Sequence, residues 1–350
     1  MRMLVLGGTG FLGAPLVGHL RRAGHEVAVF HRGRDCKDPE GHFHGDRREL
    51  LAFAPAFARF NPEVVIDTIA GSAIAAQRTM AAVRGQNRRV VFVSSMDVYR
   101  AWGVFHGTEA GTPAPGLLRE DSPLREHSGL YPAAVLAGLR RRHAWMAEGY
   151  DKLGMERAAA AAARGGWYGR ITILRLPPMY GPGDQQRRLY PLWRRMQDGR
   201  PAVLLERGWA AWRTARGFVG NMAAGVALAA SDPRAGGRIF NLADGGNYCQ
   251  LAWAQLAAEA AGWRGRIVTT PPALTPPHLH VAANTAQSCA ADSSSIRREL
   301  GFVPPVTLAQ ALRTTLAWAR ANPLSLDFEA EYIAEDAALR ACGLAAGVMS

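Results

Sequence analysis

Glycines at positions 7, 10 and 13 stand in the run Gly7-Gly8-Thr9-Gly10-Phe11-Leu12-Gly13. The apolar run Met3-Leu4-Val5-Leu6 precedes them, and Phe11, Leu12, Leu16, Val17 and Leu20 follow at helical spacing. A strand, a glycine turn and a helix in that order bring backbone N–H groups and a helix N-terminus to one point, where a pyrophosphate can sit. Gly7 permits the tight turn, Gly10 lets phosphate oxygens reach the backbone, and Gly13 lets the helix pack closely on the strand. Thr9, Phe11 and Leu12 complete the expected dinucleotide-binding turn. The spacing is G-x-x-G-x-x-G rather than the commoner G-x-G-x-x-G.

The next candidates follow the second and third apolar runs. His31-Arg32-Gly33-Arg34 stands where an NAD site commonly carries a carboxylate for the ribose hydroxyls. Arg32 and Arg34 can meet a 2′-phosphate through bidentate hydrogen bonds, which favours NADP over NAD; stacking of Arg32 on adenine is the alternative. In Gly45-Asp46-Arg47, Asp46 either bonds the adenine amino group or caps the following helix. His31 and Arg47 are counted with this expected cofactor site. Only Lys37 and Lys152 are lysines among 41 basic residues. In so arginine-rich a chain, Lys152 suggests a need for a compact ammonium with a movable pKa.

These residues need a frame that aligns strand ends. Strands are expected at 3–6, 26–30, 63–67, 89–94 and 171–175, with helices at 11–22, 47–59 and 71–84 between them. The strand segments are continuous apolar runs, as in Val90-Val91-Phe92-Val93. That pattern suits a parallel sheet covered on both faces, hence a doubly wound α/β (Rossmann) fold with ligands at the carboxyl ends of its strands. The texture changes at the turn Gly181-Pro182-Gly183-Asp184. A helix is expected over 189–198, a strand over 238–242, helices over 250–261 and 307–321, and a proline-rich loop over 271–277. The expected division is a dinucleotide-binding lobe of 1–180 completed by about 213–245. A smaller C-terminal substrate lobe takes 181–212 and 246–350.

The 350 residues are 48% hydrophobic, enough for a large core, and carry a net charge of +12. The charge is almost wholly arginine in a chain rich in Ala and Gly, which fits a general Arg-for-Lys bias better than a nucleic-acid surface. The densest basic cluster, Arg140-Arg141-Arg142, reads as a solvated face. Cys36, Cys249, Cys289 and Cys342 form no C-x-x-C pair, so neither zinc nor a disulfide framework is indicated. His42-x-His44 and His278-x-His280 lack further ligands at metal spacing, and no metal is expected. No apolar run is long enough to span a bilayer. The glycine turn interrupts the faint likeness of the N-terminus to a signal peptide, and a cytoplasmic location is expected.

Two further segments complete a pattern. Ser94-Ser95-Met96-Asp97-Val98-Tyr99 ends the strand expected at 89–94, and Arg175-Leu176-Pro177-Pro178-Met179-Tyr180-Gly181-Pro182-Gly183 ends the one expected at 171–175. Together with the glycine turn, Arg216-Gly217-Phe218-Val219 and Asp292 to Gly301, they resemble the extended short-chain dehydrogenase/reductase superfamily, in its NAD-dependent epimerase/dehydratase group. The likeness covers nearly the whole chain.

The resemblance implies a bound NAD(P)⁺ that removes hydride from a sugar-like carbon. The resulting ketone acidifies the neighbouring C–H, epimerisation or β-elimination follows, and the hydride returns. The family's hydroxyl-bearing residue matches Ser95. Its lysine matches Lys152 in the run Lys152-Leu153-Gly154-Met155-Glu156, and Pro177 falls in its cofactor-binding loop. The family's tyrosine stands four residues before that lysine, where this chain has Glu148. Tyr150 takes the acid/base role only if its backbone precedes a helix beginning near 151, which Gly149 allows. Glu148 and Asp97 are the alternative proton carriers, and Asp97 also matches the glutamate of the family's dehydratases. Tyr180, Arg187, Arg188, Arg213 and Arg216 are the candidates for a nucleotide sugar or sugar-bearing metabolite. An NADPH-dependent ketone reductase and a non-catalytic nucleotide-sensing or RNA-binding protein are the alternative functions. The expected partner is a small-molecule substrate, with neither membrane nor nucleic acid, and a homodimer is compatible with the pattern.

Overall fold

The computed structural model describes residues 1–33, 41–85, 88–132, 135–138, 149–167 and 169–344. Its strands are β1 (Arg2–Leu6), β2 (Glu26–His31), β3 (His42–His44), β4 (Val64–Asp67), β5 (Arg89–Ser95), β6 (Ile171–Leu176), β7 (Met179–Tyr180), β8 (Ala202–Glu206), β9 (Gly217–Phe218), β10 (Ile239–Asn241) and β11 (Arg266–Thr270). Seven form one sheet in the order β10-β6-β5-β4-β1-β2-β3. Every pairing in it is parallel.

Alternate residues along each strand build two separate cores, which is how a parallel sheet buries both faces. Met3, Val5, Val27, Val29, Ile66, Val91 and Leu174 face one side, where Leu16, Val17 and Leu20 of the helix Gly13–Arg22 and Met222 and Val226 of the helix Val219–Ser231 cover them. Leu4, Leu6, Ala28, Phe30, Val65, Phe92 and Ile173 face the other side. Phe57, Ala76, Met80, Met155 and Ala159 from the helices Ala54–Phe60, Ala73–Ala82 and Lys152–Ala163 close that face. The fold is the doubly wound α/β arrangement that the strand spacing predicts.

β1 has β2 on one side and β4 on the other. The strand order therefore reverses at the carboxyl ends of β1 and β4, the crevice where such sheets bind ligands. Gly7 and Thr68 stand there. The second half of the chain adds two small parallel pairs, β8 with β11 and β7 with β9. It also adds the helices Tyr190–Gln197, Gln250–Ala261, Leu308–Ala321 and Glu329–Ala341. Among the described residues no helix is long and apolar enough to cross a membrane.

Candidate active site

A cleft of about 970 Å³ runs along the carboxyl edge of the sheet, from His31 and Arg32 to Tyr131 and Arg188. Gly7, with φ +89°, turns the chain out of β1, and its N–H donates to Phe30 O at 2.9 Å. A Cβ on Gly13 would overlap the backbone of Gly7 and Gly8, so helix and strand meet at glycine distance. Gly10 differs from both: a Cβ there would find only Gly7 O, at 3.6 Å, because the position opens on the cleft. No side chain caps the helix Gly13–Arg22, and its first turn holds no acid. The cradle is thus shaped for a pyrophosphate, and the cleft has room for a whole dinucleotide.

At the β2 end the residues divide. His31 is buried, its Nε2 is 3.1 Å from His42 Nδ1, and burial together with His44 and His42 holds its pKa below the ordinary imidazole value. Arg32 lines the cleft. Asp46 caps the following turn, accepting from Arg48 N at 2.8 Å. Arg48 also holds the Asp46 carboxyl at a pKa of about 2 by side-chain hydrogen bonding. Arg47 lines the cleft, but its guanidinium forks onto Asp67 at 2.8 and 2.7 Å and also donates to Ala75 O and Thr79 Oγ1. Burial pushes the Asp67 carboxyl up, and the charge and hydrogen bonds of Arg47, with Thr79 and the Ile69 N–H, more than reverse it. Arg47 therefore braces β4 against the helix Ala73–Ala82. Arg34 lies outside the described residues.

The chemistry-bearing end lies where β5 stops. Ser95 ends β5, and its hydroxyl accepts from Asp97 N at 3.2 Å. The opposite wall begins with Gly149 at φ +82°, then Tyr150, which precedes the helix. Asp151 caps the helix Lys152–Ala163, accepting from Gly154 N at 2.9 Å. Because the helix starts after Tyr150, the two-residue spacing to Lys152 no longer turns them apart. Both side chains line the cleft with Ser95 and Asp97.

Tyr150 Oη donates to Asp97 Oδ2 at 2.5 Å. Burial raises the Asp97 carboxyl above its ordinary value, against the pull of Tyr150, Arg125, Ser95 and Lys152. Burial, and then Asp97 and Tyr131, raise the Tyr150 phenol well above its ordinary value, so it stays protonated. Lys152 Nζ donates to Ala70 O at 2.9 Å and Val93 O at 2.7 Å, and burial lowers its pKa to about 8. Behind this wall Glu156 accepts from Ser94 Oγ at 2.5 Å and pairs with Arg175 at 2.7 Å, which ties the helix to β5 and β6. Glu148 lies outside the described residues.

The remaining candidates scatter. Pro177 and Arg188 line the cleft, and Arg188 pairs with Asp184 at 3.1 Å. Arg187 turns away, donating to Asn322 O and lying over the Trp318 ring. Arg213 donates to Asn247 O at 3.4 Å, outside the cleft lining. Tyr180 and Arg216 line a separate pocket of about 270 Å³ with Asp244 and Trp253. Residues that composition and spacing did not mark also border the cleft: Trp102 and Tyr131, with Arg125 beneath Asp97. Aromatic clustering over 99–106 was a visible signal for Trp102 alone.

A family model described as "NAD dependent epimerase/dehydratase family" matches residues 3–243. An uncharacterized protein, y4nL, of Sinorhizobium fredii is 24% identical over 196 residues. That match spans 50% of this chain and 54% of the relative, so it reaches about half the relative's length. Two solved structures resemble the fold at low identity. One is Thermus thermophilus UDP-glucose 4-epimerase in complex with NAD, at 21% identity and TM-score 0.62, over 92% of this chain and all of that one. The other is Bacillus anthracis dTDP-glucose 4,6-dehydratase in complex with NAD, at 16% identity and TM-score 0.66, over 92% of this chain and 97% of that one.

Proposed function

The chain belongs to the NAD-dependent epimerase/dehydratase family, of the extended short-chain dehydrogenase/reductase type, and on that premise we propose that it epimerises or dehydrates a nucleotide sugar or another sugar-bearing metabolite through transient oxidation to a ketone. The observation that carries the proposal is the 2.5 Å contact of Tyr150 Oη with Asp97 Oδ2, in the same cleft as Ser95 and Lys152. A bound nicotinamide dinucleotide supplies reversible hydride exchange. Gly7, Thr9, Gly10, Phe11, Leu12 and Gly13 would hold its pyrophosphate, Pro177 would border it, and Lys152 would hold the nicotinamide ribose.

Ser95 bonds the reacting oxygen. Tyr150 is already protonated, so it acts as a conduit: its Oη takes the substrate hydroxyl proton as it passes its own to Asp97 Oδ2. Asp97 is then the base of the pair, and the same transfers run backwards when the ketone is reduced. Once a neighbouring ketone has acidified a substrate C–H, Asp97 is also placed to take that proton for elimination.

For the cofactor, NADP is preferred to NAD in this reading. β2 ends at His31 and is followed by Arg32 instead of a carboxylate, and Arg32, Arg48 and Arg78 border the cleft. Asp46 opposes the preference only weakly, because Arg48 pairs with it at 2.8 Å.

The test is incubation of cofactor-loaded protein with a panel of nucleotide sugars in deuterated water. The expected result is solvent deuterium in an epimer or in a dehydrated product, with no net change in cofactor oxidation state. Stoichiometric consumption of added NADPH as a ketone substrate is reduced to its alcohol would instead establish the reductase.

A further inference from the structure

Arg125 is only 2% exposed, yet no carboxylate among the described residues lies within ion-pair distance of it. Its donors go to backbone instead. Nε donates to Asp97 O at 2.6 Å, and Nη1 donates to His127 O at 2.6 Å and Ser128 O at 3.1 Å. A buried cation without an ion pair is costly unless the charge is used. Glu109, buried beside it, spends its Oε1 on the N–H groups of Glu126 and His127, whereas Asp97, whose backbone Arg125 already holds, has its Oδ1 buried with no hydrogen-bond partner.

We propose that Arg125 is a positioning residue of the Asp97–Tyr150 pair: it fixes the turn after β5 and keeps the Asp97 carboxylate charged for its proton exchange with Tyr150. This rests on the reading that the pair moves the proton. The groups facing Asp97 are Tyr150, Ser95, Lys152, Tyr131 and Arg125. Tyr150 and Ser95 act by hydrogen bonds, and Tyr131 is neutral. Only Lys152 and Arg125 bring positive charge. Lys152 titrates near 8, so its charge fades on the alkaline side, whereas a guanidinium keeps its charge throughout. The field of Arg125 also reaches His106, whose pKa burial and Arg125 lower to about 4. His106 in turn packs against Tyr131, ring centroids 4.7 Å apart.

The experiment is a pH titration of the Asp97 carboxyl in the full chain. It uses carbon-13 aspartate NMR, with Asp97→Asn assigning the resonance. In Arg125→Gln, which keeps amide donors for the same carbonyls, the Asp97 midpoint should rise by about one pH unit or more, as expected on losing a nearby opposite charge. In Arg125→Lys it should stay within a few tenths of wild type. A midpoint unmoved in Arg125→Gln, or moved equally in both variants, overturns the proposal. If Arg125→Gln does not fold, Arg125→Lys decides through its acid limb for turnover: unshifted supports the proposal, and shifted upward by a unit overturns it. Failure of the proton-exchange reading looks different. It would appear as full turnover in Asp97→Asn, whatever Arg125 does to the carboxyl.

Discussion

Gly10→Ala and Gly13→Ala separate a glycine needed for binding from one needed for packing. A methyl on Gly13 would run into backbone atoms of Gly7 and Gly8, which cannot swing aside as a side chain can. Overpacking of that kind costs about 1–3 kcal/mol, and the variant should melt measurably earlier. A methyl on Gly10 meets only Gly7 O at 3.6 Å, an ordinary contact, and Gly10 is absent from the positive-φ glycines. Its fold should therefore be unchanged, or more stable by up to about 1 kcal/mol through reduced freedom of the unfolded chain. The methyl instead fills the space through which phosphate oxygens would reach the backbone. Losing one hydrogen bond to a charged group is worth about 1.5–3 kcal/mol, so NAD(P) should bind roughly 10- to 150-fold more weakly. Isothermal titration calorimetry with NAD and NADP, alongside thermal melts, reads both quantities. Unchanged cofactor affinity in a well-folded Gly10→Ala would refute the assignment of the cradle.

Three more outcomes follow from the same geometry. Tyr150→Phe deletes the phenol that donates to Asp97; turnover should fall about 10²- to 10⁴-fold while cofactor affinity stays at the wild-type value. Asp67→Ala strands the mostly buried guanidinium of Arg47 and should cost about 3 kcal/mol of stability in urea denaturation, because Asp67 is fully buried and takes both prongs of the fork. Burial raises the Asp244 carboxyl to about 6. The folded chain therefore holds more protons than the unfolded chain between about pH 4 and 6, and stability from this group falls as pH rises through that window. Asp244→Asn lacks the slope, so thermal melts should show wild type losing ground to it across those values and running parallel above them.

The frame was legible because its signals are local. Continuous apolar runs placed β1, β2, β4, β5 and β6 within a residue or two, and the periodic helix at 250–261 has those bounds. The start of the helix at Lys152 was readable from Gly149, since a glycine at positive φ ends one segment and frees the next. What sequence could not sort was arginine. Arg47, Arg187, Arg213 and Arg216 share one chemistry with Arg32 and Arg188, yet each finds a carbonyl, a ring or a carboxylate elsewhere. Those partners lie far along the chain and appear only when the strands are assembled. Asp46 was readable in both its roles, and the structure realises the cap. Tyr131 and Arg125 carried no motif, because their place beside Asp97 comes from the long connection after β5 folding back beneath the turn.

The most direct test of the central claim is a crystal structure of the chain with NAD(P) bound. The pyrophosphate should lie on the backbone of Gly10 to Leu12, with Lys152 Nζ at the nicotinamide ribose and Tyr150 Oη facing the reacting edge of the nicotinamide while still bonded to Asp97. A cofactor bound in the cleft with Tyr150 turned away from the ring, or a cleft that takes up neither NAD nor NADP, would exclude the Tyr150–Asp97 pair as the proton carrier.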